Sequence, residues 1–71
     1  MAQHRVPELT PRETEVLVLI ARGLTCKQIS QQLGISFKTV TSHRARIMTK
    51  LKISDAVGLL RYAIREKLIE P

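Results

Sequence analysis

Four helix-start signals divide this chain of 71 residues, and they leave no length for a second domain. The first is Thr10-Pro11-Arg12-Glu13, with a capping threonine, a proline at the first helical position and a glutamate three residues after the cap. Proline lacks an N–H, but the first turn of a helix does not need that donor. The signal predicts a helix over residues 11 to about 22, which ends at Gly23.

The second and third signals lie close together. Thr25-Cys26-Lys27-Gln28 repeats the capping-box pattern and predicts a short helix to Leu33, stopped by Gly34. Ser36 then predicts the cap of a longer helix over residues 37 to about 52. A short helix, a tight glycine turn and a longer helix are typical of a helix-turn-helix.

The fourth signal is Ser54, which we expect to cap a helix over residues 55 to about 66. No segment shows the alternation of polar and apolar residues that marks a strand. The predicted fold class is therefore all-α, a four-helix bundle with a central helix-turn-helix. Residues 1–8 are polar and contain a proline, so we interpret them as a leader or linker remnant, with one domain over residues 9–71.

The charge balance indicates a polyanionic partner. Lysine and arginine number 12 against 6 acidic residues, which gives a formal net charge of +6. Nucleic acid is the simplest such partner, and an anionic membrane surface is the alternative. Aromatic residues make up only 3% of the chain, too few for the stacking platforms that bind single strands. Duplex DNA is therefore favoured.

The numbers of cysteines and histidines indicate whether the chain binds a structural metal and whether it works in an oxidising or a reducing compartment. The single cysteine, Cys26, cannot form an internal disulfide, and with two histidines the chain lacks the usual ligand set of a structural zinc site. We expect no metal, no cofactor and a reducing, cytoplasmic setting. The longest uncharged apolar run, residues 16–21, is too short to span a bilayer, so we expect no membrane partner.

The outward face of the third helix supports the DNA interpretation. Residues 36–53 contain five lysines or arginines and no acid. Opposite Val40 and Ile47, the helix carries small side chains and long cations: Lys38, Thr41, Ser42, Ala45, Arg46 and Thr49. Small side chains let a helix approach base edges, and cations and hydroxyls supply donors. Lys27 and Thr25 lie where the second helix would cross the phosphate backbone.

The fourth helix has more apolar surface than packing against one neighbouring helix would bury. Its apolar residues cover roughly 160° of the circumference; they are Ala56, Val57, Leu59, Leu60, Ala63 and Ile64. A surplus apolar strip on a surface helix indicates self-association. The alternative is that the tail, Leu68 and Ile69, folds back and covers the strip.

Several runs together resemble the LuxR-type (GerE, NarL/FixJ) DNA-binding domain. They are LTPRETEVL (9–17), IARGLT (20–25), KQIS (27–30), ISFKTV (35–40), HRARIM (43–48), KL (50–51) and AI (63–64). The similarity covers residues 9 to about 69, and the combined motifs are far more specific than a helix-turn-helix spacing alone.

The resemblance implies a bacterial transcription regulator whose third helix reads the major groove. It places the base-contacting positions at Thr41, Ser42 and Ala45. The full predicted DNA-binding set adds Thr25, Lys27, Lys38, Thr39, Arg46 and Lys50. Better-studied members often have lysine or arginine at one or more of the three base-contacting positions. Lys38 and Arg46, or DNA shape, must then carry more of the recognition here.

The resemblance also implies an inverted-repeat DNA site bound by a homodimer through the fourth helix. We assign the dimer contact to Val57, Leu60, Arg61 and Ile64. Such domains normally end a longer regulator, after a receiver, autoinducer-binding or ATP-dependent domain. The chain is either a fragment of such a protein, which the leader favours, or a small stand-alone regulator. RNA polymerase is the expected protein partner.

Glu13 lies on the same arc of the first helix as the apolar Val16 and Leu17, so its carboxylate needs a partner. One candidate is the Thr10 backbone N–H, through the capping box. The other is Arg44, the cation that points towards the core side of the third helix. We predict a contact between Glu13 and Arg44, with the capping box as the alternative.

Other classes of function fit less well. The chain has no phosphate-binding glycine loop and no nucleophile–histidine spacing, so we assign no catalytic residue and do not expect an enzyme. Cys26 is interpreted as a core residue rather than a redox thiol, and His43 as a packed or phosphate-edge residue rather than a ligand. A helical protein–protein module would carry acids on the outward face of the third helix. Region 4 of sigma factors shares the fold but ordinarily comes with further promoter-binding regions.

Overall fold

The computed structural model describes residues 8–70, and within that range it is helical without a strand. Its helices are α1 (Pro11–Ala21), α2 (Cys26–Leu33), α3 (Phe37–Leu51) and α4 (Ala56–Arg65). The predicted all-α class with a central helix-turn-helix is confirmed. Residues 1–7, most of the predicted leader, lie outside the described range. None of the described helices is long and apolar enough to cross a membrane.

Side-chain caps start each helix. At α1 the Thr10 hydroxyl accepts a hydrogen bond from the Glu13 N–H at 3.1 Å, and the Glu13 carboxylate accepts one from the Thr10 N–H at 3.0 Å. Thr25 and Gln28 form the same reciprocal pair at α2. At α3 the Ser36 hydroxyl accepts from the N–H three residues ahead at 3.0 Å. These three predicted caps are confirmed.

The predicted cap of α4 is wrong by one residue. Asp55, not Ser54, is the cap, and its carboxylate accepts a hydrogen bond from the Gly58 N–H at 2.7 Å. A carboxylate accepts more strongly than a hydroxyl and is further stabilised by the positive end of the helix dipole. At this helix the charged residue of the adjacent pair therefore sets the start.

The core lies where α1 packs against the other three helices. Its fully buried side chains come from all four helices: Val16, Leu17, Ile29, Val40, Ile47, Leu59 and Ala63. Helix α1 contacts α2, α3 and α4 in turn. This arrangement fixes the angle between the two helices of the helix-turn-helix and the orientation of α4.

The connection from α3 to α4 is short and tightly packed. Lys52 adopts a left-handed conformation (φ 57°) and ends α3. Ile53 then lies against the first turn of α4 at Gly58. A Cβ atom on Gly58 would lie 2.6 Å from the Ile53 Cγ2 atom, so only glycine permits this approach.

The tail leaves part of the α4 strip uncovered. The Leu68 N–H donates to the Ala63 carbonyl oxygen at 2.8 Å, and the Leu68 side chain packs against the core. It lines a groove beside α1 together with Leu19 and Leu33. In the described part of the chain Val57 and Leu60 remain 60% and 38% exposed. The alternative that the tail covers the strip is therefore wrong for Val57 and Leu60.

Candidate nucleic-acid interface

A left-handed glycine joins α2 to α3. Gly34 has φ 68° and ψ 33°, a conformation that glycine adopts without the steric cost of a Cβ atom. The Ile35 N–H then donates to the Ser30 carbonyl oxygen at 3.1 Å, which closes the turn. Ser36 starts α3 directly afterwards. The chain thus changes direction within three residues.

The buried side of α3 determines which side faces outward. Val40 and Ile47 are fully buried, and Ile29 of α2 is buried with them in one core cluster. The opposite face of α3 carries exposed or half-buried residues: Lys38, Thr41, Ser42, Ala45, Arg46 and Thr49. The structure therefore brings the core of the predicted DNA-binding set onto one continuous surface. A shallow depression of about 270 Å³ lies on it, lined by Ala45, Arg46, Thr49 and Lys50.

Three of the predicted hydroxyls have partners within the chain. The Thr41 hydroxyl donates to the Lys38 carbonyl oxygen at 2.8 Å. The Thr39 and Ser36 hydroxyls share a hydrogen bond of 2.8 Å, and the Thr25 hydroxyl accepts the capping bond of α2. The Thr41 proton and one proton of the Ser36–Thr39 pair are therefore used within the chain, whereas the Thr25 hydroxyl, which only accepts, keeps its proton available for a partner.

The start of α2 offers backbone donors beside a cation. The capping box uses the N–H groups of Thr25 and Gln28. The N–H groups of Cys26 and Lys27 belong to the first turn, where a helix supplies no acceptor of its own. With the exposed Lys27 side chain they form an end suited to a phosphate oxygen.

Glu13 is held by Lys50 and by its own cap. The Lys50 ammonium lies 2.7 Å from the Glu13 Oε1 atom, which also accepts from the Thr10 N–H at 3.0 Å. The Glu13 side chain is 4% exposed and that of Lys50 is 37% exposed. The expected contact with Arg44 is wrong. Arg44 lies six residues before Lys50, roughly 9 Å back along the helix axis, so it is at the wrong level to meet the start of α1.

Opposing effects act on the Glu13 carboxyl. Burial raises its pKa, but the hydrogen bonds from Lys50 and from the Thr10 N–H lower it by more, so the pKa lies below its ordinary value. The carboxylate is therefore ionised at neutral pH, and it ties the first turn of α1 to the last turn of α3. Lys50, predicted to bind DNA, has this structural partner in the free protein.

Among the described residues, Cys26 and His43 belong to no cluster of potential metal ligands. Cys26 is half-buried against the core. The Nδ1 atom of His43 is buried and finds no hydrogen-bond partner among the described residues. Within residues 8–70 no three potential metal ligands cluster together.

Sequence reasoning missed one residue of this surface. Phe37 is the first residue of α3 and is 56% exposed. Phe37 is not in the predicted DNA-binding set, which contains only small, hydroxyl and cationic side chains. Its spacing of four residues from Thr41 was the available signal, because such pairs share a helix face.

A short helix, a left-handed glycine turn and a longer helix with a cationic outward face define a helix-turn-helix DNA-binding domain. The family described as bacterial regulatory proteins, luxR family, matches residues 7–63. The chain belongs to this family. The fold and the function of DNA-binding transcription regulation follow from that membership, and the predicted resemblance is confirmed.

Curated relatives support the same assignment. The oxygen regulatory protein NreC of Staphylococcus aureus strains JH9, JH1 and USA300 is 45% identical to this chain over 62 residues. The aligned region is 87% of this chain and 29% of NreC, so the chain spans under a third of the length of these relatives. No solved structure matches the chain.

Proposed function

We propose that this chain binds specific sites in duplex DNA with α3 in the major groove, as a homodimer on an inverted repeat. One observation carries the proposal: α3 presents an outward face of cations and small side chains within a stretch, residues 36–53, that has no acid. Lys38 and Arg46 are the exposed cations of that face, and they can reach base edges or phosphates. Lys27 at the start of α2 binds the neighbouring phosphate backbone.

The dimer contact is assigned to α4. Val57 and Leu60 are the exposed large apolar side chains of that helix, and both lie in its first half. A patch of this size is too small for a stable free dimer. The domain is therefore monomeric at micromolar concentration and dimerises on DNA, where binding to adjacent half-sites raises the effective concentration of the partner.

The chain acts as the effector part of a longer regulator. The length of NreC, of which 29% is matched, supports this proposal. We assign the longer protein to the response regulators of two-component systems, with a separate regulatory domain and with RNA polymerase as the protein partner.

Salt dependence tests DNA binding directly. If about five to eight phosphates are neutralised per dimer, log K falls against log[salt] with a slope of roughly −4 to −7. Lys27→Ala weakens binding to all sequences about equally and reduces the slope by about one per protomer. Lys67→Ala, which removes the same charge from the tail, is the matched control and leaves the slope nearly unchanged. A flat salt response contradicts the proposal.

Base preference tests the assigned face. Arg46→Ala costs roughly 1–3 kcal/mol of binding free energy and relaxes the preference at one position of each half-site. Arg46→Lys keeps the charge but removes the planar fork of donors, so it restores affinity more than preference. Preferences are measured by selection from randomised duplexes. Unchanged selection by Arg46→Ala shows that another residue reads the bases.

A further inference from the structure

Phe37 is exposed at a position where core packing gives it no role. It is 56% exposed at the first position of α3, and the other exposed large apolar side chains of the described residues, Val57 and Leu60, lie on α4. Its neighbour in sequence is the exposed cation Lys38. An apolar ring in this cationic setting calls for a partner that combines negative charge with an apolar group.

Phe37 lies at the end of a ridge with no side-chain donor. Phe37, Thr41 and Ala45 are spaced by four residues and follow one another along α3. The Thr41 hydroxyl donates to the Lys38 carbonyl oxygen at 2.8 Å, so its proton is used within the helix and its γ-methyl group remains available. Ala45 is exposed and carries only a methyl group.

We propose that this ridge reads the C5-methyl group of thymine in the major groove, with Phe37 as a specificity-determining residue. The inference rests on the proposed DNA binding through α3. The thymine methyl is the apolar group that base pairs present in the major groove, and alanine, the threonine methyl and phenylalanine are its usual contacts. The N-terminal residues of a recognition helix lie nearest to base edges, which favours Phe37 and Thr41.

The surrounding charge favours DNA over an apolar protein surface. Lys38 and Arg46 are exposed beside the ridge, and residues 36–53 contain no acid. An apolar protein partner would have to desolvate these cations, whereas duplex DNA sets phosphates around its base edges.

Deoxyuridine provides the test because it removes only the methyl group of thymine. Sites are first selected from randomised duplexes with the 71-residue chain, and each thymine is then replaced in turn. At one or more thymines in each half-site we expect binding to weaken about fourfold. Phe37→Ala abolishes the difference between thymine and deoxyuridine at one of these positions, and Phe37→Leu retains part of it.

Two controls separate this readout from misfolding. Thermal denaturation of Phe37→Ala is expected to match that of the parent chain, because the ring is exposed. Phe37→Gln keeps a long side chain that suits a helix and is expected to lose the methyl discrimination as Phe37→Ala does.

Each outcome has one interpretation. Salt-dependent binding with equal affinity for thymine and deoxyuridine at every position, or selected sites without thymine, overturns this inference and leaves the proposed function standing. A deoxyuridine effect of undiminished size in Phe37→Ala and Phe37→Gln assigns the methyl contact to another residue. Binding to no duplex overturns the proposed function and this inference together.

Discussion

Replacing Lys50 by methionine is expected to lower the free energy of unfolding at pH 7 by about 2–3 kcal/mol, and the melting temperature by roughly 10–20 °C. The substitution keeps the apolar stem but removes the ammonium that lies 2.7 Å from the buried Glu13 carboxylate. The carboxylate then retains the Thr10 N–H as its partner. A buried charge deprived of its counter-ion is costly, because water cannot solvate it.

Removing the charge of the other partner, in Glu13→Gln, is expected to lower the free energy of unfolding by less than Lys50→Met does. In Glu13→Gln the neutral side chain still suits the capping box, and the Lys50 ammonium, which is 37% exposed, can turn towards water. We expect a loss below about 1 kcal/mol. The double variant should resemble Glu13→Gln alone, because methionine then faces no charge. The free energy of unfolding of each variant is measured by denaturant unfolding. If the losses of the two single variants simply add in the double variant, Glu13 and Lys50 do not stabilise each other.

The pH dependence of folding stability provides a second test of the ion pair between Glu13 and Lys50. Because the pKa of Glu13 is lower in the folded protein than its ordinary value, its contribution to stability is present above that value. The contribution is lost as pH falls through the folded pKa. The difference in stability between the parent chain and Lys50→Met should therefore narrow as the pH is lowered from 7 to about 3. A constant difference over this range contradicts an ionised Glu13.

Replacing Val57 by glutamate is expected to abolish cooperative binding to an inverted repeat. In the proposed dimer this places one carboxylate against its copy in an apolar contact, at a cost on the order of 100-fold in affinity for the paired site. Binding to a single half-site persists weakly, because α3 is untouched. Val57 is 60% exposed, so the fold of the monomer should not change.

Gel shifts on one and two half-sites separate these effects. Leu60→Glu should behave in the same way as Val57→Glu. Gln32→Glu adds the same charge at a residue that lines the groove beside Leu68, away from α4, and is the matched control. Equal cooperativity in the parent chain and Val57→Glu would move the dimer contact to another surface.

The fold could be predicted because its signals are local. A cap and its N–H donor are three residues apart, and a helix-ending glycine acts on its own turn, so the bounds of α1 to α3 are readable from adjacent residues. The predicted start of α4 differs from the observed start by one residue, because two possible caps, Ser54 and Asp55, are neighbours.

The partner of Glu13 could not be predicted in the same way. A helical wheel gives the direction of a side chain around the axis and correctly placed Glu13 towards the core. It does not give the level along the axis at which two helices meet, and that level selects Lys50 over Arg44. The hydroxyl of Thr41 illustrates a further limit, because its bond to its own helix depends on a side-chain rotation that residue type leaves open.

The contact between Ile53 and Gly58 has a consequence for how such a regulator can diversify. A Cβ atom on Gly58 would lie 2.6 Å from the Ile53 Cγ2 atom, so the first turn of α4 packs directly against the segment that links it to α3. We expect this close contact to hold the two helices at a fixed relative orientation. In the proposed dimer the distance between the two copies of α3 is then set by the backbone of each monomer. Exchange of side chains on α3 can therefore redirect the domain to new base sequences while the spacing of the half-sites stays constant.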